Sequence, residues 1–279
     1  MALPSPQSFL LLMLSFRSLL LALLAPALWP APALHAQTTV ARLADYTGPR
    51  YPGGPDSLRA LVYRSVRPAG AAPAGRLLVR FELPDGSKPQ KFRLAYTDQL
   101  VNSELVKAGT DATEYLQGHM LNWWPGVPTK AFGREMPQVS LALNFPAPSA
   151  ANQAYAYADQ PPVFASLVEA ARAGGARSFR PSADPAPVSL IRFIQMLVRY
   201  PSAALRQNQQ GTVYVYLEVT ETGAIEYSEV VATAGNIGPE MTAEVMRVVA
   251  QLPAATAPAQ VAGRPVRLYY VLPINFKIQ

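Results

Sequence analysis

Few residues of this chain could support catalysis or bind a metal. There is no cysteine, and the two histidines are His35 and His119, so neither a thiolate site nor a multi-histidine site can be built. His35 falls in a segment that we expect to be removed. His119 has no serine or aspartate motif near it, and we interpret it as a residue at a helix end or on the surface.

Acidic pairs are the other possible source of chemistry. Glu226 with Glu229 lies on a predicted strand edge, and Glu240 with Glu244 on a predicted helix face. We interpret both pairs as solvated surface charges. Neither a GxGxxG motif nor a glycine-rich loop ending in Lys-Ser/Thr occurs, which argues against a nucleotide site. The expectation is a protein that is not an enzyme and that needs no cofactor and no metal.

Composition also limits the classes of partner. The chain has 279 residues, half of them hydrophobic, which is enough for two packed domains. The net charge is +6, but only 15% of the residues are charged, and no dense run of lysine and arginine occurs. Nucleic acid is therefore not an expected partner.

The N-terminus has the character of an export signal. An apolar run from Phe9 to Ala25 is interrupted by Arg17 and followed by prolines, which predicts a signal peptide over residues 1–36. No positive charge precedes Phe9, and a true start at Met13 rather than Met1 would supply a basic region before the apolar run. The alternative is a retained membrane anchor, although a span needs about 20 apolar residues.

The remaining chain contains an internal repeat. The segments Ser57–Pro68 and Ser189–Pro201 align with one inserted residue and have helical spacing, with serine as N-cap and proline as stop. Each is followed by a glycine, an alternating strand, a turn and a returning strand. A second helix, a Gly-Arg pair and a last strand complete each half. This order predicts α+β units, each a small antiparallel sheet of about three strands with helices on one face.

The alternation in the second half predicts which side chains of its first strand face the helices. Val215 and Leu217 alternate with Tyr214 and Tyr216, and we expect the aliphatic pair to face the helices. Aspartate should then be more damaging at Val215 or Leu217 than at either tyrosine.

The stretch between the two halves is rich in Ala, Pro and Gly. We expect a flexible, protease-sensitive linker around Ala147–Asp159, with one short helix near Phe164–Ala173. The predicted boundaries are residues 1–36 for the signal, 45–146 for the first unit, 147–188 for the linker and 189–279 for the second unit.

The second half carries a recognisable combination of residues: Tyr200, Pro201, Gly211, Gly223, Gly263, Pro273, Asn275 and Phe276. Together they resemble the C-terminal domain family of the energy transducer TonB, over about the last ninety residues. The first half resembles a diverged copy. It keeps Trp123-Trp124 after its second helix, and since adjacent residues cannot face one core, we expect one tryptophan to be buried and the other exposed. The second half has no tryptophan there.

This resemblance implies a periplasmic module that grips an extended segment of an outer-membrane transporter, in energy-coupled transport. If the N-terminal segment is not cleaved, the protein would be anchored in the inner membrane. The alternative function is a periplasmic structural, scaffold or self-associating protein that keeps the fold without a transport role.

We place the partner-binding site on the last strand, Val266 to Phe276. Pro273 cannot donate a ladder hydrogen bond, which favours an edge strand, and an extended partner segment can add to such an edge. One face of the strand should pack under the helices while the other flanks the partner. Proline at Tyr269 or Tyr270 should weaken binding. The alternative is an edge closed by a second copy in a homodimer. The predicted binding residues are Arg267, Leu268, Tyr269, Tyr270, Val271 and Leu272.

Overall fold

The computed structural model describes residues 45–67, 73–84, 88–97, 103–124, 138–148, 153–180 and 186–278. The predicted signal peptide and the turn at Asp85-Gly86 lie outside these ranges. Arg42–Gln279 form one compact unit. None of the helices within the described ranges combines the length and the apolar character that crossing a membrane requires.

The first half folds as a three-stranded antiparallel sheet with two helices on one face. Its strand order is β2-β1-β3. Apolar residues of β1 and β3 pack against the helices around Leu58, Leu116 and Phe81. The elements are α1 (Gly54–Val66), β1 (Gly75–Glu82), β2 (Gln90–Ala95), α2 (Ser103–His119) and β3 (Gln138–Phe145).

The helix α2 begins at Ser103, although the sequence pattern predicts the second helix of this half only over Asp111–Leu121. Its buried face includes Ala108, Gly109 and Ala112, which are small and give little apolar contrast. Since sequence periodicity is recognised through large apolar residues, the first two turns of this helix gave no clear signal.

The second half repeats the same strand order, here β5-β4-β8. The helices α4 and α6 cover the face that carries Val213, Val215 and Leu217, as the sequence predicts. The expected α+β class with a small antiparallel sheet is confirmed. The elements are α4 (Ala186–Leu197), α5 (Ser202–Arg206), β4 (Gly211–Val219), β5 (Ile225–Gly235), α6 (Pro239–Val249), β6 (Ala259–Val261), β7 (Arg264–Val266) and β8 (Leu268–Phe276).

The connecting segment is packed rather than free. It contains the short helix α3 (Leu167–Ala173), near the position expected, and Leu167, Ala171 and Phe179 are buried in the core of the second half. Tyr155 and Ala158 are buried as well, so the flexible linker expected around Ala147–Asp159 is wrong over residues 153–159. Aromatic and aliphatic residues at irregular spacing supply this burial, so the segment packs without helical or strand periodicity.

Proteolysis should reflect this packing. Trypsin under native conditions is expected to cut slowly within residues 153–180, because cleavage requires local unfolding of a segment whose anchors are buried. Mass spectrometry of the early fragments measures this. Early accumulation of fragments ending after Arg172 would contradict the packed connector, since that arginine lies inside α3.

The two sheets pack face to face. Leu78 and Ala142 of the first sheet form one buried cluster with Tyr214, Tyr216 and Tyr269 of the second. The strand β4 is consequently buried on both faces, with Tyr214 6% and Tyr216 0% exposed. The expectation that these tyrosines lie on a milder, more exposed face is wrong, because the first half covers them. The molecule has four layers: helices, sheet, sheet and helices.

Candidate partner-binding site

The strand β8 is an edge strand. It pairs with β4 in an antiparallel register from Leu268 opposite Val219 to Phe276 opposite Gly211, and it is the last strand in the order β5-β4-β8. The predicted edge position is thus confirmed. In an antiparallel pair, successive residues alternate between directing their backbone N–H and C=O groups at the neighbouring strand and directing them away from it.

The outward-pointing residues can be identified from one hydrogen bond. The backbone N–H of Tyr269 donates to Tyr155, not to β4. The backbone N–H and C=O groups of Tyr269 and of every second residue from it are therefore directed away from β4. These residues are Arg267, Tyr269, Val271, Pro273 and Asn275. Pro273 lacks its N–H on the outward side, where no ladder bond to β4 is lost.

Both ends of this edge are already bonded within the chain. At the beginning, the N–H of Tyr155 donates to the carbonyl of Arg267 and the N–H of Tyr269 donates to the carbonyl of Tyr155, both at 2.9 Å. At the end, the side-chain amide of Gln195 donates to the carbonyl of Asn275 at 2.6 Å and accepts from its N–H at 3.1 Å. Between them, the N–H and carbonyl of Val271 have no hydrogen-bond partner among the described residues.

Most of the predicted binding side chains are buried. Leu268, Tyr270 and Leu272 face the helix-covered core, as expected for one face of the strand. Tyr269 does not flank an open surface, because it is 6% exposed and packs between the sheets. Of the six predicted binding residues, Arg267 and Val271 are partly exposed.

Tyr269 links the two sheets through its ring and its hydroxyl. Its ring stacks on Tyr216 with centroids 5.3 Å apart, and its hydroxyl accepts a hydrogen bond from the Ala142 N–H at 3.1 Å. Burial raises the pKa of Tyr269 to about 12. Burial also raises the pKa of Tyr270. Proline at either tyrosine would therefore damage the core, and neither position tests binding alone.

Ion pairs surround the start of β8. The guanidinium of Arg267 lies 3.2 Å from the carboxylate of Glu218, 3.0 Å from Glu226 and 3.7 Å from Glu221. These carboxylates fix the Arg267 side chain beside the edge. Arg267 thus has acidic neighbours from the turn after β4 and from both strands of the hairpin.

The interpretation of the acidic pairs as solvated charges needs correction. Glu229 forms an ion pair with Arg76 of the first sheet. Glu244 accepts a hydrogen bond from the Arg199 N–H at 2.8 Å. The hydrogen bond from Arg247, together with that of the Arg199 backbone, lowers the pKa of Glu244 despite its partial burial. The Glu229 carboxylate therefore links β5 to β1, and the Glu244 carboxylate links α6 to the segment after α4.

Most residues of the family motif build the domain, whereas Pro273 and Asn275 lie on the edge strand β8. Tyr200 donates its hydroxyl hydrogen bond to the Gln209 carbonyl and packs edge-on against Phe276 with centroids 5.3 Å apart. Gly223 adopts a φ of 89° in the turn after β4, a conformation that favours glycine. Three further motif residues lie at a helix start, a strand end or a turn: Pro201, Gly211 and Gly263.

The predicted positions of His119 and of the two tryptophans after α2 are confirmed. His119 lies exposed at the end of the helix, and its Nδ1 is 2.8 Å from the Tyr115 carbonyl oxygen. Trp123 is 2% exposed and Trp124 60% exposed, so one is buried and the other is not. Across the described ranges, no group of three or more His, Asp or Glu side chains could hold a metal ion.

The geometry defines an α+β domain with a partly open edge at β8. Residues 197–278 match the family described as Gram-negative bacterial TonB protein C-terminal. A search of solved structures found the NMR solution structure of the Helicobacter pylori TonB C-terminal domain (residues 179–285). It is 19% identical with a TM-score of 0.27, and the match covers 38% of this chain and 92% of that one. No curated protein sequence matches significantly.

The segment 197–278 thus matches the TonB C-terminal family. The family match does not extend into the first half. Because the sheet orders of the two halves are the same, a shared origin of the halves stays a hypothesis that topology favours.

Proposed function

We propose that this protein is a periplasmic TonB-like module that binds an extended segment of an outer-membrane transporter by adding it as a strand to β8. The observation that supports the proposal is the outward backbone of Val271, which bonds to no described residue, on the edge strand of the family-matched domain. An added strand satisfies such groups, and its backbone supplies affinity.

The role in transport depends on the N-terminus. With its signal peptide removed, the protein binds a transporter segment in the periplasm but cannot pass on energy from the inner membrane. With the segment retained as an anchor, it sits in the inner membrane and can do both. The first half is a diverged copy of the same fold, and in this proposal it acts as a support that covers the tyrosine face of β4.

Val271→Pro is expected to weaken partner binding while the fold is kept. The substitution removes an N–H that points away from β4, so the β4 ladder stays complete and the unfolding free energy falls by less than about 1 kcal/mol. A partner carbonyl left without its donor should reduce the cross-linking yield about tenfold. The measurement is photo-cross-linking in intact cells from a reactive residue at Lys277, which is exposed.

Val271→Ala is the matched control, because it shortens the same side chain and keeps the N–H. Its cross-linking yield should equal that of the unaltered protein. Equal yields of a transporter with alanine and proline would refute binding through this edge. Recovery of only the protein itself would favour the homodimer, and recovery of cell-wall material the scaffold function.

A further inference from the structure

The start of the proposed binding edge is occupied by a segment of the chain itself. Tyr155 bridges to Leu268 in a parallel orientation, and its two backbone bonds use the carbonyl of Arg267 and the N–H of Tyr269. These are the outward groups that an added strand would use. The connector therefore already makes the first pairing of a strand addition.

The side chain of Tyr155 is held by the first half of the molecule. Its hydroxyl donates to the Asp56 carboxylate at 2.6 Å, and the Arg59 guanidinium lies 4.1 Å from its ring centroid. The neighbouring Ala154 is buried among the residues between the sheets. The residues Ala154, Tyr155 and Ala156 thus place an aromatic side chain between two small ones at the start of β8.

This pairing is incomplete. In a parallel ladder, the second residue after Tyr155 would donate to the Tyr269 carbonyl and accept from the Val271 N–H. Tyr157 makes neither bond, and the next bridge of the connector is from Gln160 to Gln260 of β6. A longer extended segment could therefore replace both Tyr155 bonds and add bonds to Tyr269 and Val271.

We propose that residues 154–156 are an internal ligand that keeps the start of β8 closed, and that the partner segment displaces them. The partner is then an extended peptide that runs parallel to β8, with small residues on both sides of an aromatic one. This inference rests on the proposed function of β8, since it names the occupant of that same edge.

A labelled peptide of residues 153–159 serves as the probe for the full exported chain. Asp56→Ala and Tyr155→Phe each remove the hydrogen bond that anchors Tyr155. Asp56 is 53% exposed and the phenylalanine keeps the ring, so the fold is retained. In both variants we expect the peptide to bind about tenfold tighter than to the unaltered chain, and the Tyr269 amide to exchange about tenfold faster.

Asp111→Ala is the matched control, because it also removes an exposed carboxylate and its ion pair, with Lys107 at 2.8 Å, but lies on α2. It should change neither measurement. Two results would overturn the internal ligand. The first is equal peptide binding by the unaltered chain and both variants. The second is that none of them binds the peptide and that the exchange rate of the Tyr269 amide is unchanged in the variants.

Cross-linking from Lys277 separates this inference from the proposed function. If the variants bind the peptide more tightly but no envelope protein is trapped in cells, the internal ligand stands and the transport function fails. If a transporter is trapped equally by the unaltered chain and both variants, the internal ligand fails and the proposed function stands.

Discussion

Val215→Asp is expected to abolish cooperative folding of the chain. Val215 is fully buried in the core of the second half, between the sheet and the helices that cover it. An unpaired carboxylate there costs several kcal/mol, comparable with the total stability of about 5–15 kcal/mol of a typical domain. Circular dichroism with urea titration measures the loss.

Tyr216→Asp is expected to be similarly severe, although Tyr216 faces the opposite side of the strand. It is fully buried between the sheets, and the Arg76 guanidinium lies 3.7 Å from its ring centroid. Loss of the ring opens a cavity, which by analogy with other aromatic truncations costs about 3–5 kcal/mol.

Ala234→Asp is the control for both substitutions. Ala234 lies on β5 in the same sheet but is exposed, so the same carboxylate should change the unfolding free energy by less than about 0.5 kcal/mol. If Tyr216→Asp were as mild as this control, the first sheet would not cover β4.

Arg76→Ala should lower the unfolding free energy by about 3 kcal/mol, because it removes a largely buried cation that lies beside two carboxylates. Arg76 pairs with Glu229 and lies 3.8 Å from Glu218, and its side chain is only 14% exposed. The ion pairs join the first sheet to the second. Urea unfolding of the full chain measures the change.

Lys91→Ala is the matched control on the first sheet. Its ion pair with Glu82 spans 2.7 Å, but the lysine side chain is 58% exposed, so its loss should cost less than about 1 kcal/mol. Glu229→Gln added to Arg76→Ala should restore part of the stability, since it removes the carboxylate charge that the Arg76 guanidinium contacts. If the two substitutions changed the unfolding free energy additively, the result would contradict the ion pair between Arg76 and Glu229.

Local patterns predicted the parts of this fold that depend on short-range order. Helical spacing, alternating strands and turn glycines indicated the helices and hairpins of each half. The predicted serine N-caps are wrong, because Ser57 lies inside α1 and Ser189 lies inside α4. The packing of one half on the other left no such signal, because tyrosines such as Tyr214 and Tyr216 are compatible with exposed or buried positions. Their alternation with aliphatic residues is the same in both cases.

The candidate site was predicted in part for the same reason. Pro273 indicated an edge strand, and β8 is one. That Tyr155 already bonds to this edge depends on a contact between residues more than a hundred positions apart, and sequence periodicity carries no information on such contacts. The one available signal was the aromatic pair Tyr155 and Tyr157 in a segment otherwise rich in small residues.

The face-to-face sheets have a consequence for how the protein responds to dilution. If the two sheets belonged to separate chains, their association would weaken as the concentration fell. Because one chain carries both, each sheet meets its counterpart at an effective concentration of about millimolar, whatever the amount of protein present. The tyrosine face of β4 therefore stays covered even at the lowest expression levels in the cell.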